Sequence, residues 1–373
     1  MKKNLIFTLI AVMALFGATA CVDTIDADKM LGTMDITVVN DDDALSTKAD
    51  SGVDILAGED AAKDAQVFLF DASGNLYRKF DITGGTGNTL SKTEEGVKIG
   101  TYTVAVVLNG LAAGNAFASL NTIGTLTALR AAVVTLASSV PGAQFTMYGE
   151  KADVNVAVGG TARAEISVKR FVSRIRLVSV KNALPEAYGA LTVNNVFVIN
   201  ALSSWNLAGS DNPAGKFNWG GRKENKSESS SKSDFIAAAA DCSLSGVAYG
   251  AQTFASPGTS VPRNLNSGTN IGSAFYVYPN ATADDKGGNT FQGPISMNTN
   301  APTRLVVVAT INQVPYYYPV TVPAMSRNNT YDIALTIKGF GSDDPNKEVL
   351  MGNMSVTVNI AGWNAGNALT PEI

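Results

Sequence analysis

The chain contains no histidine, and its 373 residues include only two cysteines, Cys21 and Cys242. Without histidine, the Ser-His-Asp and Cys-His catalytic arrangements and the common histidine-ligated metal sites are excluded. Two cysteines are too few for a disulfide framework. Charged residues make up 16% of the chain and the formal net charge is -4, which argues against the concentrated basic face that nucleic acids require. We therefore expect neither an enzyme nor a nucleic-acid-binding protein, and we expect no metal or cofactor.

The apolar stretch at residues 5–16 is shorter than the ~20 residues that a membrane-spanning helix needs. Lys2 and Lys3 precede it, and small residues lead from it to Cys21. This order is typical of a bacterial lipoprotein leader, so residues 1–20 are predicted to be a signal peptide and Cys21 to be acylated. The alternative is an ordinary secretory signal that is cleaved near Ala20. In both cases the protein leaves the cytoplasm.

The remainder of the chain has the pattern of an all-β protein with many turns. Thirty-five glycines accompany short runs in which apolar and polar residues alternate. Strands are predicted at residues 34–39, 66–71, 76–80, 101–108, 154–158, 164–169, 173–180, 191–199, 274–279, 304–311, 315–321, 330–337 and 354–360. A short helix is predicted within 125–137. Because Leu184-Pro185 interrupts the strands, we predict two β-sandwich domains, at 49–182 and 183–353.

Four other groups of residues have ordinary structural explanations. The glycine-rich residues 84–88 lack the ending of a phosphate loop and are predicted to form a hairpin turn. The aspartates at 41–43 and 343–344 lack the ligand spacing of a calcium loop and are predicted to be solvated. Tyr316, Tyr317 and Tyr318 could stack on a sugar, but one buried ring with the others at a domain edge is favoured. Arg170, Arg174 and Arg176 are predicted to be paired surface charges.

Two strands near opposite ends of the mature chain share one pattern. Residues 34–38 and 354–358 both alternate apolar and polar side chains, and three of the five residues are identical. Each strand would place three apolar side chains on one face: Met34, Ile36 and Val38 in the first strand, and Met354, Val356 and Val358 in the second. The two strands could therefore fill the same groove, so that the last strand of one copy replaces the first strand of another. The alternative is that two half-buried strands match by chance.

The ordered motifs along the chain resemble the fimbrillins, the type V pilins of Bacteroidota. The resemblance covers nearly the whole chain. Its motifs are the lipoprotein leader, residues 47–49, residues 67–76, residues 147–150 with 159–160, residues 168–175, residues 326–333 with 336–339, and the terminal 356–358 with Trp363.

The fimbrillin resemblance implies a route from precursor to fibre. It implies two transthyretin-like β-sandwiches, a lipidated propeptide at 21–48 that holds a removable strand, and a donor-strand tail at 354–373. A trypsin-like Arg- or Lys-specific protease would cut between Lys48 and Ala49, with Lys29 and Lys63 as rival sites. The tail's apolar residues, which include Ile360 and Trp363, would then enter another subunit.

The function implied is that of a structural subunit of a cell-surface fimbrium. Its partners would be other copies of itself and related pilins, the protease, and the outer membrane through the lipid before cleavage. The alternative within this family is a tip or accessory adhesin that binds a glycan or a host protein, or an anchor subunit.

Overall fold

The structure is a computed structural model. It describes residues 30–40, 61–111, 117–135, 145–199, 204–209, 258–281, 302–344, 347–350 and 352–362. Strands dominate these residues, so the all-β prediction is confirmed.

Seventeen strands lie within the described residues. The first nine are β1 (Leu31–Asn40), β2 (Asp64–Phe70), β3 (Leu76–Thr83), β4 (Thr89–Lys98), β5 (Gly100–Leu108), β6 (Val133–Thr135), β7 (Met147–Val156), β8 (Thr161–Arg170) and β9 (Ser173–Asn182). The others are β10 (Leu191–Ile199), β11 (Ser204–Asn206), β12 (Thr259–Val261), β13 (Thr269–Val277), β14 (Arg304–Ile311), β15 (Val314–Thr321), β16 (Asn329–Ile337) and β17 (Met354–Gly362). The helical elements are the α-helix α1 (Leu126–Ala131) and two 3-10 helices, Phe117–Thr122 and Glu186–Tyr188.

The first half of the chain forms a seven-stranded sheet in the order β3-β2-β5-β7-β8-β1-β4. β7 and β8 are paired only at one end, through Met147 with Arg170 and Tyr148 with Lys169. The seven strands therefore divide into two layers, β3-β2-β5-β7 and β8-β1-β4. Buried side chains from both layers form one hydrophobic core, which also includes Tyr276 and Tyr278 from the second half of the chain.

The second half forms two four-stranded sheets around a second core. Their orders are β12-β10-β14-β15 and β13-β9-β16-β17. β9 pairs in parallel with β16 and antiparallel with β13, and its Ile175, Leu177 and Val180 lie in the second core. The sequence prediction placed this strand before its domain boundary at 182–183, because the Leu184-Pro185 break follows it. Along the chain, the first residue of the second core is Ile175, which lies within β9.

One local prediction is wrong. Residues 84–88 do not form a hairpin turn, because β3 pairs only with β2 and β4 only with β1 within the described residues. They instead carry the chain between the two edges of the seven-stranded sheet.

The short helix predicted within 125–137 is present at Leu126–Ala131. Thr125 caps its first turn by accepting from the Ala128 N–H, and the chain then enters β6.

The arginines predicted to be surface charges are buried. Arg170, Arg174 and Arg176 are at most 3% exposed. Their side chains donate to partners on the 328–332 segment: Arg170 to Asn328, Arg174 to Thr330, and Arg176 twice to the Asp332 carboxylate, at 2.6 and 2.5 Å. Burial and the nearby charge of Arg174 lower the pKa of Arg170 to about 9. The surface prediction was wrong because these partners lie far away in the sequence.

The Arg176–Asp332 pair yields a test of the second core. Replacing Asp332 with Ala leaves a buried, uncompensated guanidinium charge, so we expect the free energy of unfolding to fall by about 3–5 kcal/mol. The double variant Arg176→Met/Asp332→Leu should recover most of that loss, since both charges are gone. Urea unfolding measures both values. Equal losses in the single and double variants would contradict the argument.

Candidate strand-exchange site

The first strand of the protein lies inside a sheet rather than at its edge. β1 pairs in parallel with β8 on one side and antiparallel with β4 on the other. We call this position between β4 and β8 the strand slot. Because the strand in the slot uses hydrogen-bonding groups on both of its edges, removing it would leave two neighbouring strands with unpaired backbone groups.

The inner face of the slot is apolar. Met34, Ile36 and Val38, the three residues predicted from the alternating pattern, are 0–1% exposed. Their partners on β8 are Ala162, Ala164 and Ile166, which are also buried. Each buried aliphatic side chain of this size contributes roughly 1.5–3 kcal/mol of transfer free energy. The occupant of the slot is therefore part of the first core.

The outer wall of the slot, β4, carries charges on the same face. Glu94 and Lys92 lie opposite Met34 and Ile36, and directly opposed residues share a face of the sheet. The Arg78 guanidinium on β3 contacts Glu94 Oε1 at 2.8 Å. The Lys92 ammonium lies 4.3 Å from the centre of the Phe80 ring. These inward-facing charges discourage further strand pairing at the β4 edge.

Arg78 holds β4 against β3. Besides Glu94, its guanidinium donates to the backbone carbonyls of Glu95 at 3.0 Å and Gly96 at 2.8 Å. Burial lowers the pKa of Arg78, but the hydrogen bond to Glu94 raises it, and the balance lies above the ordinary value. Sequence reasoning missed both β4 and this contact, because β4 is rich in charged residues and forms no backbone ladder with β3.

The last described strand, β17, lies at the edge of its sheet and is called the tail strand here. It pairs antiparallel with β16 alone, so that Met354, Val356 and Val358 lie opposite Ile337, Leu335 and Ile333. Those three apolar side chains are half-buried against the second core. Ile360 is 47% exposed. The tail strand thus buries less of its apolar face than β1 does in the slot.

A compact turn leads into the tail strand. The backbone N–H groups of Lys338 and Gly339 donate to the Asn353 carbonyl at 2.8 and 2.9 Å. The Asn353 side chain donates to the Phe340 carbonyl at 2.9 Å. Asn353 therefore fixes the beginning of the tail strand against the end of β16.

Several predicted residues lie outside the described residues. They are Cys21, Lys48, Ala49, Trp363 and the aspartates at 41–43. Of the tyrosines, Tyr318 is buried and donates to the Gly339 carbonyl, whereas Tyr316 stacks on Phe340 with ring centres 5.0 Å apart. The prediction that one of the three tyrosine rings is buried is confirmed.

The second predicted aspartate pair consists of Asp343 and Asp344. Asp343 forms an ion pair with Lys347 at 3.7 Å. Across the part of the chain that the structure describes, no three potential metal-ligating side chains come together, and no helix is long and apolar enough to cross a membrane.

The architecture is shared with known proteins. Over residues 44–201 the chain matches the family model of the fimbrillin-A associated anchor proteins Mfa1 and Mfa2. No curated protein sequence matches the chain.

Solved structures from Bacteroidota align over almost the whole chain. A proposed cell adhesion protein of Bacteroides eggerthii aligns with a TM-score of 0.60 at 20% identity, over 89% of this chain and 96% of its own. A fimbrilin (fimA) of Porphyromonas gingivalis aligns with a TM-score of 0.56 at 14% identity, over 91% and 100%. The tip fimbrial protein Mfa3 of the same organism gives 0.50 at 11% identity, over 89% and 100%.

The structural alignments, despite their low sequence identities, establish the fold, which is the β-sandwich fold of the fimbrilins. The family match over residues 44–201 agrees with the fimbrillin resemblance seen in the sequence motifs. That match supports a class of fimbrial structural proteins that includes anchors.

The burial of β1 yields a prediction about the precursor. Replacing Ile36 with Ala should reduce the free energy of unfolding by about 2–5 kcal/mol, because it leaves a cavity in the first core. Leu31 is on the same strand but 44% exposed, so Leu31→Ala should change stability by no more than about 0.5 kcal/mol. Denaturant unfolding compares the two, and a similar loss in both would contradict the slot's role in the core.

The Arg78 contacts yield a second prediction. Replacing Arg78 with Ala should loosen β4 by roughly 1 kcal/mol and speed hydrogen exchange in residues 89–98 about fivefold. Lys79 is the matched control, because it follows Arg78 on β3 but donates to Asn121 instead. Hydrogen exchange read by mass spectrometry makes the comparison. Unchanged exchange in the Arg78 variant would show that the Arg78 contacts do not hold β4.

Proposed function

We propose that the protein is a structural subunit of a cell-surface fimbrium that polymerises by strand exchange. It is exported as an outer-membrane lipoprotein precursor acylated at Cys21, cut between Lys48 and Ala49, and joined to its neighbour through residues 354–373. The observation that carries this proposal is the two-sided position of β1, whose apolar face is fully buried and whose apolar pattern the tail strand repeats.

The pairing of the two strands favours exchange once β1 is lost. While β1 is covalently attached, its high effective concentration keeps the slot filled. After cleavage it can diffuse away. A tail strand that enters from another copy then pairs with two strands instead of one, and Val356 and Val358 take the fully buried positions of Ile36 and Val38. Because this contact is head-to-tail and does not close on itself, it produces a filament.

The strand bounds support Lys48 over the rival cleavage sites. β1 ends at Asn40 and β2 begins at Asp64, so a cut after Lys48 separates them and leaves both intact. A cut after Lys29 would leave β1 attached to the rest of the chain. A cut after Lys63 would remove the residue whose backbone N–H donates to Asn109 beside the start of β2. The processing partner is accordingly a trypsin-like protease that accepts lysine.

A second candidate is an anchor or an accessory adhesin on the same scaffold. The description of the matched family, which names anchor proteins, favours the anchor. An anchor would keep its acylated Cys21 and β1, and would offer only its tail strand. A tip adhesin would fill its slot from another subunit and bind a glycan or a host protein. The N-terminus of the protein in shed fibres separates these roles: Ala49 indicates a stalk subunit, and acylated Cys21 indicates an anchor.

The exchange is tested with charge on alternate residues of the tail strand. Treating the precursor with a Lys-specific protease should cut after Lys48 and produce SDS-resistant ladders. Val358→Asp should abolish the ladders, because its charge would be buried unpaired at the position of Val38, between Leu90 and Ile166. Thr357→Asp is the matched control, because Thr357 is on the opposite, exposed face and should leave the ladders largely intact. Ladders that persist in the Val358 variant would rule out the tail strand as the donor.

A further inference from the structure

The beginning of the slot accepts only a glycine. A Cβ atom built on Gly32 would lie 2.5 Å from the Ala157 carbonyl oxygen, 2.7 Å from Val156 Cγ1 and 2.9 Å from the Gly160 carbonyl oxygen. Two of these atoms belong to the backbone and cannot turn aside as a flexible side chain could. Gly32 is not among the residues with positive φ. The glycine is therefore required for space and not for its backbone conformation.

The tail strand carries a glycine at the matching place. Gly352 precedes Met354 by two residues, as Gly32 precedes Met34. With these glycines aligned, Val356 falls on Ile36, and Thr357 and Val358 fall on the identical Thr37 and Val38. Moving the tail by two residues in one direction would place Met354 in the space that excludes even a Cβ. Moving it in the other would leave a glycine in the position of Met34.

We infer that the tail strand of a second copy enters the slot in the same direction as β1, with Gly352 in the place of Gly32 fixing the register. This inference rests on the proposed function. It adds which residue of the donor fixes the register and which way the donor runs. No proline occurs between 350 and 362, so the donor can supply every backbone N–H that β1 supplies.

A reversed tail is the competing arrangement, because Gly362 could then occupy the glycine position. Reversal would place Ile360, Val358 and Val356 on the buried positions and Met354 on that of Asn40. It would also turn the parallel ladder with β8 into an antiparallel one, and the antiparallel ladder with β4 into a parallel one. The same direction keeps both ladders as they are.

Gly352 serves a different purpose in its own chain. There its φ is +94°, and a Cβ built on it would meet nothing within 4 Å. In its own chain, Gly352 is therefore required for its positive φ, whereas the slot requires a residue without a Cβ atom. In the full chain, Gly352→Ala would strain the turn and loosen the tail strand, which by itself would favour exchange. If Gly352 fixes the register, the same substitution blocks exchange.

The test uses synthetic peptides of the tail strand, because a substitution in a free peptide cannot strain the turn that Gly352 forms in the full chain. Peptides of residues 350–363 with the natural sequence, with Gly352→Ala, and with Gly362→Ala are added to the full chain after cleavage at Lys48. Native mass spectrometry follows the displacement of the N-terminal fragment that carries β1 and ends at Lys48. We expect the natural peptide and the Gly362→Ala peptide to bind alike, and the Gly352→Ala peptide to bind at least about tenfold more weakly.

Each other outcome has a distinct meaning. Failure of the natural peptide to bind would overturn the proposed function itself. Equal binding of all three peptides would leave strand exchange intact and overturn the glycine register. Selective weakening by Gly362→Ala would establish the reversed direction instead. In the full chain, Gly352→Ala should suppress the protease-induced ladders; ladders that form more readily would show that the glycine matters only to its own turn.

Discussion

The protein depends on one constraint: a strand position with neighbours on both sides has to be occupied. The slot between β4 and β8 satisfies backbone hydrogen bonds on two edges and buries Met34, Ile36 and Val38 in the first core. An empty slot would expose apolar surface and unpaired backbone groups together, and both are costly. Two strands of the same chain carry the pattern that fits. β1 buries its apolar face completely in the slot, whereas β17 buries only part of its apolar face, at a sheet edge where it has a single neighbour within the described residues.

Two groups of charged residues lie where they affect strand pairing and packing. Lys92 and Glu94 face inward on the edge strand β4 and are engaged from β3 by Phe80 and Arg78, so the edge of the first sandwich is a poor template for further pairing. In the second core, the Arg176–Asp332 pair joins β9 to β16 with both side chains at most 5% exposed. β16 is the strand that carries the tail strand. The neighbouring strands β9, β16 and β17 therefore connect the buried ion pair to the tail strand, which is proposed to leave this sheet.

The alternating strands with apolar faces could be predicted from the sequence, and β1 with its three buried residues is the clearest example. β4 could not be, since its sequence TLSKTEEGVK is rich in charge and its partners are supplied by β1 and β3. The buried arginines were misjudged for a related reason: Arg176 and Asp332 are 156 positions apart, and nothing local indicates that they meet. Gly32 also has no local signal, because its need for space arises from Ala157 and Gly160 across the sheet. The alternating pattern of the tail strand could be predicted from the sequence, but its position beside β16 could not. A strand with one apolar face suits both the edge beside β16 and the slot.

β4 has β1 as its only strand neighbour within the described residues, and this has a kinetic consequence. A molecule that has lost β1 also loses the ladder partner of β4, so only side-chain contacts from β3 and the chain connections would keep residues 89–98 in place. Such a species would be short-lived and prone to nonspecific association. Departure of β1 and entry of the donor strand should therefore overlap, with the donor displacing β1 progressively from one end. Growth would then use freshly cleaved molecules that still hold β1 in the slot, and subunits with an empty slot would not accumulate.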